Sequence, residues 1–285
     1  MSSEARRGRL EGADGLRLLW RHWPVQDAQR VLVIVHGLGE HSARYERVAR
    51  WLNARGYAVH AYDHRGHGES EGPRNHAPSF DTLLDDLERL LGLVRRAHPS
   101  GTPLILLGHS MGGLIVSGLL ALREPPLAAA VLSGPALRAG MSVGRLRRLA
   151  AAGLARIFPR LRFDAGFEPE WLSRDPAVVQ AYVADPLIST ALSVRLATEL
   201  LRAAERVRAQ AERIRTPLLI VHGEDDRVCS IEGSRELYAA LGPALCELRG
   251  YPGLRHEVLN EPEAERVLED IHAWIEKRVG TEPAQ

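Results

Sequence analysis

Within the 285-residue sequence, the residues best suited to do chemistry are a serine with a glycine two positions to either side, Gly108-His109-Ser110-Met111-Gly112. A hydroxyl becomes a useful nucleophile only when a base takes its proton, and small flanking residues let the backbone turn sharply enough to lift it clear. His256, in Gly253-Leu254-Arg255-His256-Glu257, is the candidate base. Asp225 and Asp226, closing His222-Gly223-Glu224-Asp225-Asp226, are candidates for the carboxylate that would hold the distal imidazole nitrogen. Serine, acid and histidine in this spacing point to acyl transfer, and chain order alone leaves the two aspartates equal. His272 also follows them, but within a helical pattern, and reads as structural. His109 reads as a packing residue, because a sharp turn aims neighbouring side chains apart. A second glycine loop, His36-Gly37-Leu38-Gly39-Glu40-His41-Ser42, offers the Leu38 amide as an oxyanion donor beside that of Met111. Ser42 occupies the position where a dinucleotide loop needs its third glycine, which argues against that reading.

These residues need a frame that brings distant segments together. Short apolar runs at 31–35, 58–62, 104–107, 128–132 and 218–221 have the composition of strands buried on both faces. Helical spacing separates them at 45–55, 80–97 and 111–122 and recurs at 232–241 and 263–278, with a last strand expected near 246–248. The alternation implies an α/β fold with a mostly parallel central sheet flanked by helices. Ser110 follows one strand and opens one helix, and the acid and the histidine lie on loops after later strands, as in the α/β-hydrolase fold. No strand run is visible from 136 to 211, which reads as an inserted helical cap between core segments 1–135 and 212–285.

The motifs His36-Gly37-Leu38-Gly39-Glu40-His41, Asp63-His64-Arg65-Gly66-His67-Gly68, Gly108-His109-Ser110-Met111-Gly112-Gly113, His222-Gly223-Glu224-Asp225-Asp226 and Arg255-His256-Glu257-Val258 resemble those of the monoacylglycerol lipases. The likeness runs over roughly residues 31–279. It implies a triad of Ser110, Asp226 and His256, so that the resemblance selects Asp226 over Asp225, and oxyanion donors at Leu38 and Met111. It also implies that Glu40 and Arg44 lie near the glycerol hydroxyls of a monoester substrate. No cofactor and no metal are implied, and His64 and His67 belong to a loop that is structural in the family. Cys229 reads either as a small buried residue or as one beside the acyl site. A lysophospholipase or broad carboxylesterase would share every catalytic residue, and a peptidase could share the triad. A ligand-binding scaffold without turnover is the alternative outside enzymes. Haloalkane dehalogenases and epoxide hydrolases are disfavoured because they place aspartate at the nucleophile position.

Composition narrows the partners. A net charge of +1 provides no clustered field for nucleic acid, and two cysteines are too few for a disulfide framework. No secretory signal and no membrane-spanning run is visible, so a cytoplasmic protein is expected. Between 136 and 163 there is no acidic residue, while Arg138, Arg145, Arg147, Arg148, Arg156, Arg160 and Arg162 alternate with an apolar stripe of Val143, Leu146, Ala150, Leu154, Ile157 and Phe158. That pattern reads either as a helix packed on the core with solvated arginines or as a surface for peripheral contact with an anionic lipid interface. The resemblance to lipid hydrolases favours the second.

Overall fold

The computed structural model describes residues 5–140 and 145–280, with side chains described outside 145–150. Its centre is an eight-stranded sheet. In chain order the elements are β1 (Arg6–Glu11), β2 (Arg17–Trp23), β3 (Arg30–Val35), α1 (Glu46–Asn53), β4 (Tyr57–Tyr62), α2 (Phe80–Ala97), β5 (Leu104–His109), α3 (Met111–Leu122) and β6 (Ala129–Ser133). After these come α4 (Arg145–Ile157), β7 (Arg162–Asp164), α5 (Pro176–Ala184), β8 (Ala191–Ser193) and α6 (Val194–Ala209). The chain then closes with β9 (Leu218–Gly223), α7 (Ile231–Leu241), β10 (Cys246–Tyr251) and α8 (Ala264–Val279). The strands lie in the order β1-β2-β4-β3-β5-β6-β9-β10, parallel from β4 to β10 and antiparallel at the β1 edge.

Every residue of β3, β4, β5, β6 and β9 is buried, because helices cover both faces. Alternation along β3 divides the core. Val31, Val33 and Val35 pack with α2 and α3, while Leu32 and Ile34 pack with α1 and α8. Helix α3 is buried from Met111 to Ala121, which explains why its sequence is apolar on all sides. Register sets the site: Val35 pairs with Gly108, His109 with Ser133, Ser133 with Val221, and Gly223 with Tyr251. The strand ends that carry the sequence motifs therefore meet along one edge, where ligands bind in open parallel sheets.

Two features depart from the sequence reading. The β1–β2 hairpin extends the fold upstream of residue 31, and its Arg-rich alternation hid it because only one face of an edge strand needs apolar residues. Between β6 and β9, β7 and β8 form a two-stranded ribbon of three-residue strands, too short to leave an apolar run. Helix α6, within the same insertion, buries Leu196, Ala203, Ala204 and Val207 in the core that holds α3. Of the expected apolar stripe, Val143 lies outside the described residues, as do the side chains of Leu146 and Ala150 and, on the cationic face, those of Arg145, Arg147 and Arg148. The stripe does not simply pack inward, since Ile157 is 72% and Phe158 59% exposed.

The Asp63-His64-Arg65-Gly66-His67-Gly68 loop braces the strand ends. Arg65, 2% exposed, is gripped by both oxygens of Asp86 at 2.7 and 2.9 Å and by those of Asp14 at 2.8 and 3.1 Å. His64 Nε2 donates to the His36 carbonyl at 3.0 Å, and His67 Nδ1 to that of Arg65 at 2.9 Å.

Candidate active site

Ser110 sits between β5 and α3 at φ 52° and ψ −116°, a left-handed conformation that a non-glycine residue holds only under structural constraint. The constraint is a crowded crossing. The Ser110 amide donates to the Ser133 carbonyl at 3.0 Å, and its own carbonyl accepts from Leu114 and Ala136 at 3.1 and 3.0 Å. A Cβ on Gly112 would stand 1.9 Å from the Val35 carbonyl oxygen, and one on Gly108 would stand 2.5 Å from that of Gly112. The two glycines therefore let α3 press against β3, and the turn lifts Ser110 to the wall of a cavity of about 1080 Å³.

His256 and Asp226 come to the same place from loops after β10 and β9. The imidazole Nδ1 donates to Asp226 Oδ2 at 2.7 Å, which leaves Nε2 to accept a proton. Asp226 is fixed by three donors, His256 at Oδ2 and the amides of Val228 and Cys229, each at 2.8 Å, at Oδ1; His222 Nε2, which donates to the Cys229 carbonyl at 3.0 Å, lies 3.1 Å from Oδ2. Asp225 is exposed, its amide bound to the Leu254 carbonyl at 3.0 Å, so it is Asp226 that meets the histidine. Burial disfavours a charged His256, but the Asp226 carboxylate, supported by Glu257 and Glu40, overcomes this and raises its pKa above 6.5. Burial likewise opposes charge on Asp226, yet His256 and then His222 hold its pKa below the usual carboxylate range.

The Ser110 hydroxyl is turned toward Cys229 Sγ at 3.9 Å, and among the described residues it has no hydrogen bond to His256. Catalytic hydrogen bonds commonly tighten only once substrate is bound. Cys229 is buried and lines the cavity. Burial, and then the charge of Asp226, push its pKa up and keep it a thiol.

Leu38 and Met111 line the cavity beside Ser110. Met111 is the first residue of α3, so its amide is among those a helix leaves without an internal acceptor. Glu40 and Arg44 also reach the cavity, but within a buried ionic cluster. Glu40 Oε1 accepts the Gly37 amide at 2.6 Å and the Tyr45 hydroxyl at 2.8 Å, while Oε2 accepts from Arg44 at 2.6 Å. The Arg44 guanidinium grips both oxygens of Glu257 at 2.8 Å and lies 5.1 Å from the Tyr182 ring centroid.

Glu257 and His222 were not singled out from sequence. Their partners are 213 and 4 residues away, and the only local signal for Glu257 was a carboxylate directly after the candidate base. His109, expected to be a packing residue, is buried. It lines the cavity, donates from Nδ1 to the Ser133 carbonyl at 3.1 Å and places its ring 4.7 Å from that of His256. Burial, and then His256, press its pKa down to about 4, so it is neutral. His272 instead bonds the Tyr57 hydroxyl through Nδ1 at 2.9 Å, away from the cavity.

Above this polar floor, Phe163, Phe167, Leu192, Leu200 and Leu201 of the insertion line the cavity with apolar surface, while Arg138, Arg208, Arg227, Glu232 and Glu236 add charged groups elsewhere in its lining. A cavity of this size with a mixed apolar and polar lining is suited to a small-molecule ligand. Among the described residues, no helix is long and apolar enough to cross a membrane.

Known proteins agree with this chemistry. The model of the family described as "Serine aminopeptidase, S33" matches residues 26–263. A monoacylglycerol lipase of Mycolicibacterium smegmatis is 39% identical over 93% of this chain and 94% of its own length. The Homo sapiens monoglyceride lipase is 35% identical over 95% of this chain and 91% of its own. The crystal structure of Paleococcus ferrophilus monoacylglycerol lipase superposes with a TM-score of 0.83 at 30% identity, covering 97% of this chain and all of that one. With its fold, its elbow serine and these relatives taken together, the chain belongs to the monoacylglycerol lipase family of α/β-hydrolases and is a serine ester hydrolase.

Proposed function

We propose that the protein hydrolyses monoacylglycerols to fatty acid and glycerol, with Ser110 as nucleophile, His256 as general base and Asp226 as the acid that orients it. The observation that carries this reading is the 2.7 Å Asp226–His256 hydrogen bond beside an elbow serine on the wall of a largely apolar cavity. His256 Nε2 takes the Ser110 proton as Oγ attacks the ester carbonyl. The oxyanion is received by the amides of Leu38 and Met111, each of which contributes about 3 kcal/mol to the transition state. The imidazolium passes its proton to the leaving glycerol oxygen, an acyl-Ser110 remains, and His256 then activates water to release the fatty acid.

Glu40 and Arg44 would meet the glycerol hydroxyls. Two carboxylates on one guanidinium leave this end of the cavity with a net charge of about −1. That charge suits neutral hydroxyls and disfavours a phosphate-bearing head, which favours a monoacylglycerol over a lysophospholipid.

Residues 136–211 would act as the cap, and its outer surface would rest on lipid. Ile157, Phe158 and Leu161 are exposed, with Arg156, Arg160 and Arg162 exposed among them. An apolar tip ringed by cations is the composition of an interfacial contact.

Release rates from matched monoacyl-, diacyl- and triacylglycerols and lysophosphatidylcholine test the substrate assignment. A monoacylglycerol rate at least tenfold above the others is expected, and a preference for lysophosphatidylcholine would overturn it.

A further inference from the structure

Toward the β1 edge of the sheet lies a cluster of side chains that ester hydrolysis does not use. His22 on β2 and His60 on β4 pair directly across the antiparallel ladder, and His98 caps the C-terminus of α2 on the same face. The His22 and His60 rings stack with centroids 4.0 Å apart and planes 7° apart. His98 stands edge-on to both, at 5.9 Å from His22 and 5.0 Å from His60. His60 Nε2 and His98 Nε2 face each other at 2.8 Å, while His22 Nε2 is buried without a hydrogen-bond partner. A buried ring nitrogen without a partner is costly to keep unless something occupies it.

We propose that His22, His60 and His98 form a binding site for a late first-row transition-metal ion, of which zinc is the representative. One ring nitrogen from each histidine lies within 4.8 Å of the others. Tetrahedral ligands about 2.1 Å from zinc stand roughly 3.4 Å from one another, so the present separations bracket the bound geometry and only small ring movements separate the two. Imidazole nitrogens select zinc, nickel or copper over magnesium and calcium, which need oxygen ligands, and this group contains no carboxylate. Three nitrogens leave a fourth position for water.

The surroundings favour a cation. Burial pushes His22 down to about 4 and His60 down to about 2 and also lowers His98, so protons do not compete for the nitrogens near neutrality. The carbonyl end of the 18-residue α2 points its partial negative charge here, against the opposing charge of Arg6.

Binding has one defined cost. Trp20 Nε1 donates to His60 Nδ1 at 3.2 Å, which leaves the proton of neutral His60 on Nε2, facing His98. An ion on Nε2 moves that proton to Nδ1, where it meets the indole N–H, so the half-buried Trp20 must turn away. Metal loading therefore ties β2 and β4 to the end of α2 and reports itself through Trp20.

The test is calorimetric titration of ZnCl2 into the untagged, full-length chain after chelator treatment, with thermal melts and tryptophan emission in parallel. One ion per chain, a higher Tm and a change in emission are expected. His98→Asn, at a half-buried helix end, is expected to lose at least about tenfold in zinc affinity and the rise in Tm, while ester hydrolysis stays within about twofold. Trp20→Phe removes the competing donor and is expected to bind zinc at least as tightly as the parent. No binding by the parent chain at about 100 μM zinc, or a His98→Asn titration matching the parent, would overturn the proposal.

Discussion

Replacing Asp226 by asparagine removes one charge and changes almost nothing in shape, so its effect can be worked from the geometry. The parent carboxylate accepts from His256 Nδ1 at 2.7 Å, which puts the charge centres of the imidazolium and carboxylate about 4 Å apart. At an effective dielectric of about 20, that separation is worth about 4 kcal/mol to the imidazolium formed in the transition state. A loss of that size slows the reaction by about a thousandfold. A further loss follows if the asparagine amide faces His256. Its N–H would then compel Nδ1 to accept, leaving the proton on Nε2, where it cannot take the one on Ser110. The expected fall in kcat is therefore about 10³- to 10⁴-fold, with KM nearly unchanged, measured on a p-nitrophenyl ester with a melting curve as the check on folding. Asp225→Asn is the matched control and is expected to stay within about twofold, because that side chain is exposed. A folded Asp226→Asn enzyme that loses less than about tenfold, or an Asp225→Asn enzyme that loses as much, would refute the reasoning.

Other consequences are equally open to measurement. His256 must be neutral to act as base and its pKa is raised, so kcat/KM is expected to be full at high pH and to fall as the pH drops through a midpoint above 6.5. Glu257→Gln removes one of the charges that raise it and is expected to move this acid limb to lower pH in a pH–rate profile. Gly112→Ala places a methyl 1.9 Å from the Val35 carbonyl and is expected to lose about 3 kcal/mol or more in urea unfolding. Arg65→Ala leaves the buried Asp86 carboxylate without its ion pair, with an expected loss of about 3–5 kcal/mol. The Arg65→Met/Asp86→Leu double substitution is expected to recover part of that loss in the same denaturation assay.

Much of this architecture is legible in the chain because buried parallel strands cannot hide their apolar runs. Helices α2 and α3 occupy the ranges their periodicity implied, and the strand segments agree to within about two residues at most ends. The association of Asp226 with His256 is legible for a different reason, since chain order and a shared family motif constrain both. What could not be read depends on pairing between distant residues. The Arg44–Glu257 ion pair joins residues 213 apart, and His22, His60 and His98 meet only because β2 pairs with β4 and α2 ends beside them. The β1–β2 hairpin escaped because the facing Arg7 and Arg21 read as charged surface, whereas both are ion-paired with Glu69, far along the chain. The exposed Ile157 and Phe158 carry the same apolar letters as core residues, and only coordinates separate the two.

The central claim is tested most directly by trapping the acyl-enzyme. The purified chain is mixed with an activated medium-chain ester, quenched in acid within the first turnover, digested and analysed by mass spectrometry, with Ser110→Ala alongside. A single acyl group on the peptide containing Ser110, absent from the variant, is the expected result. An acyl group on another residue, or turnover by Ser110→Ala at the parent rate, would contradict it.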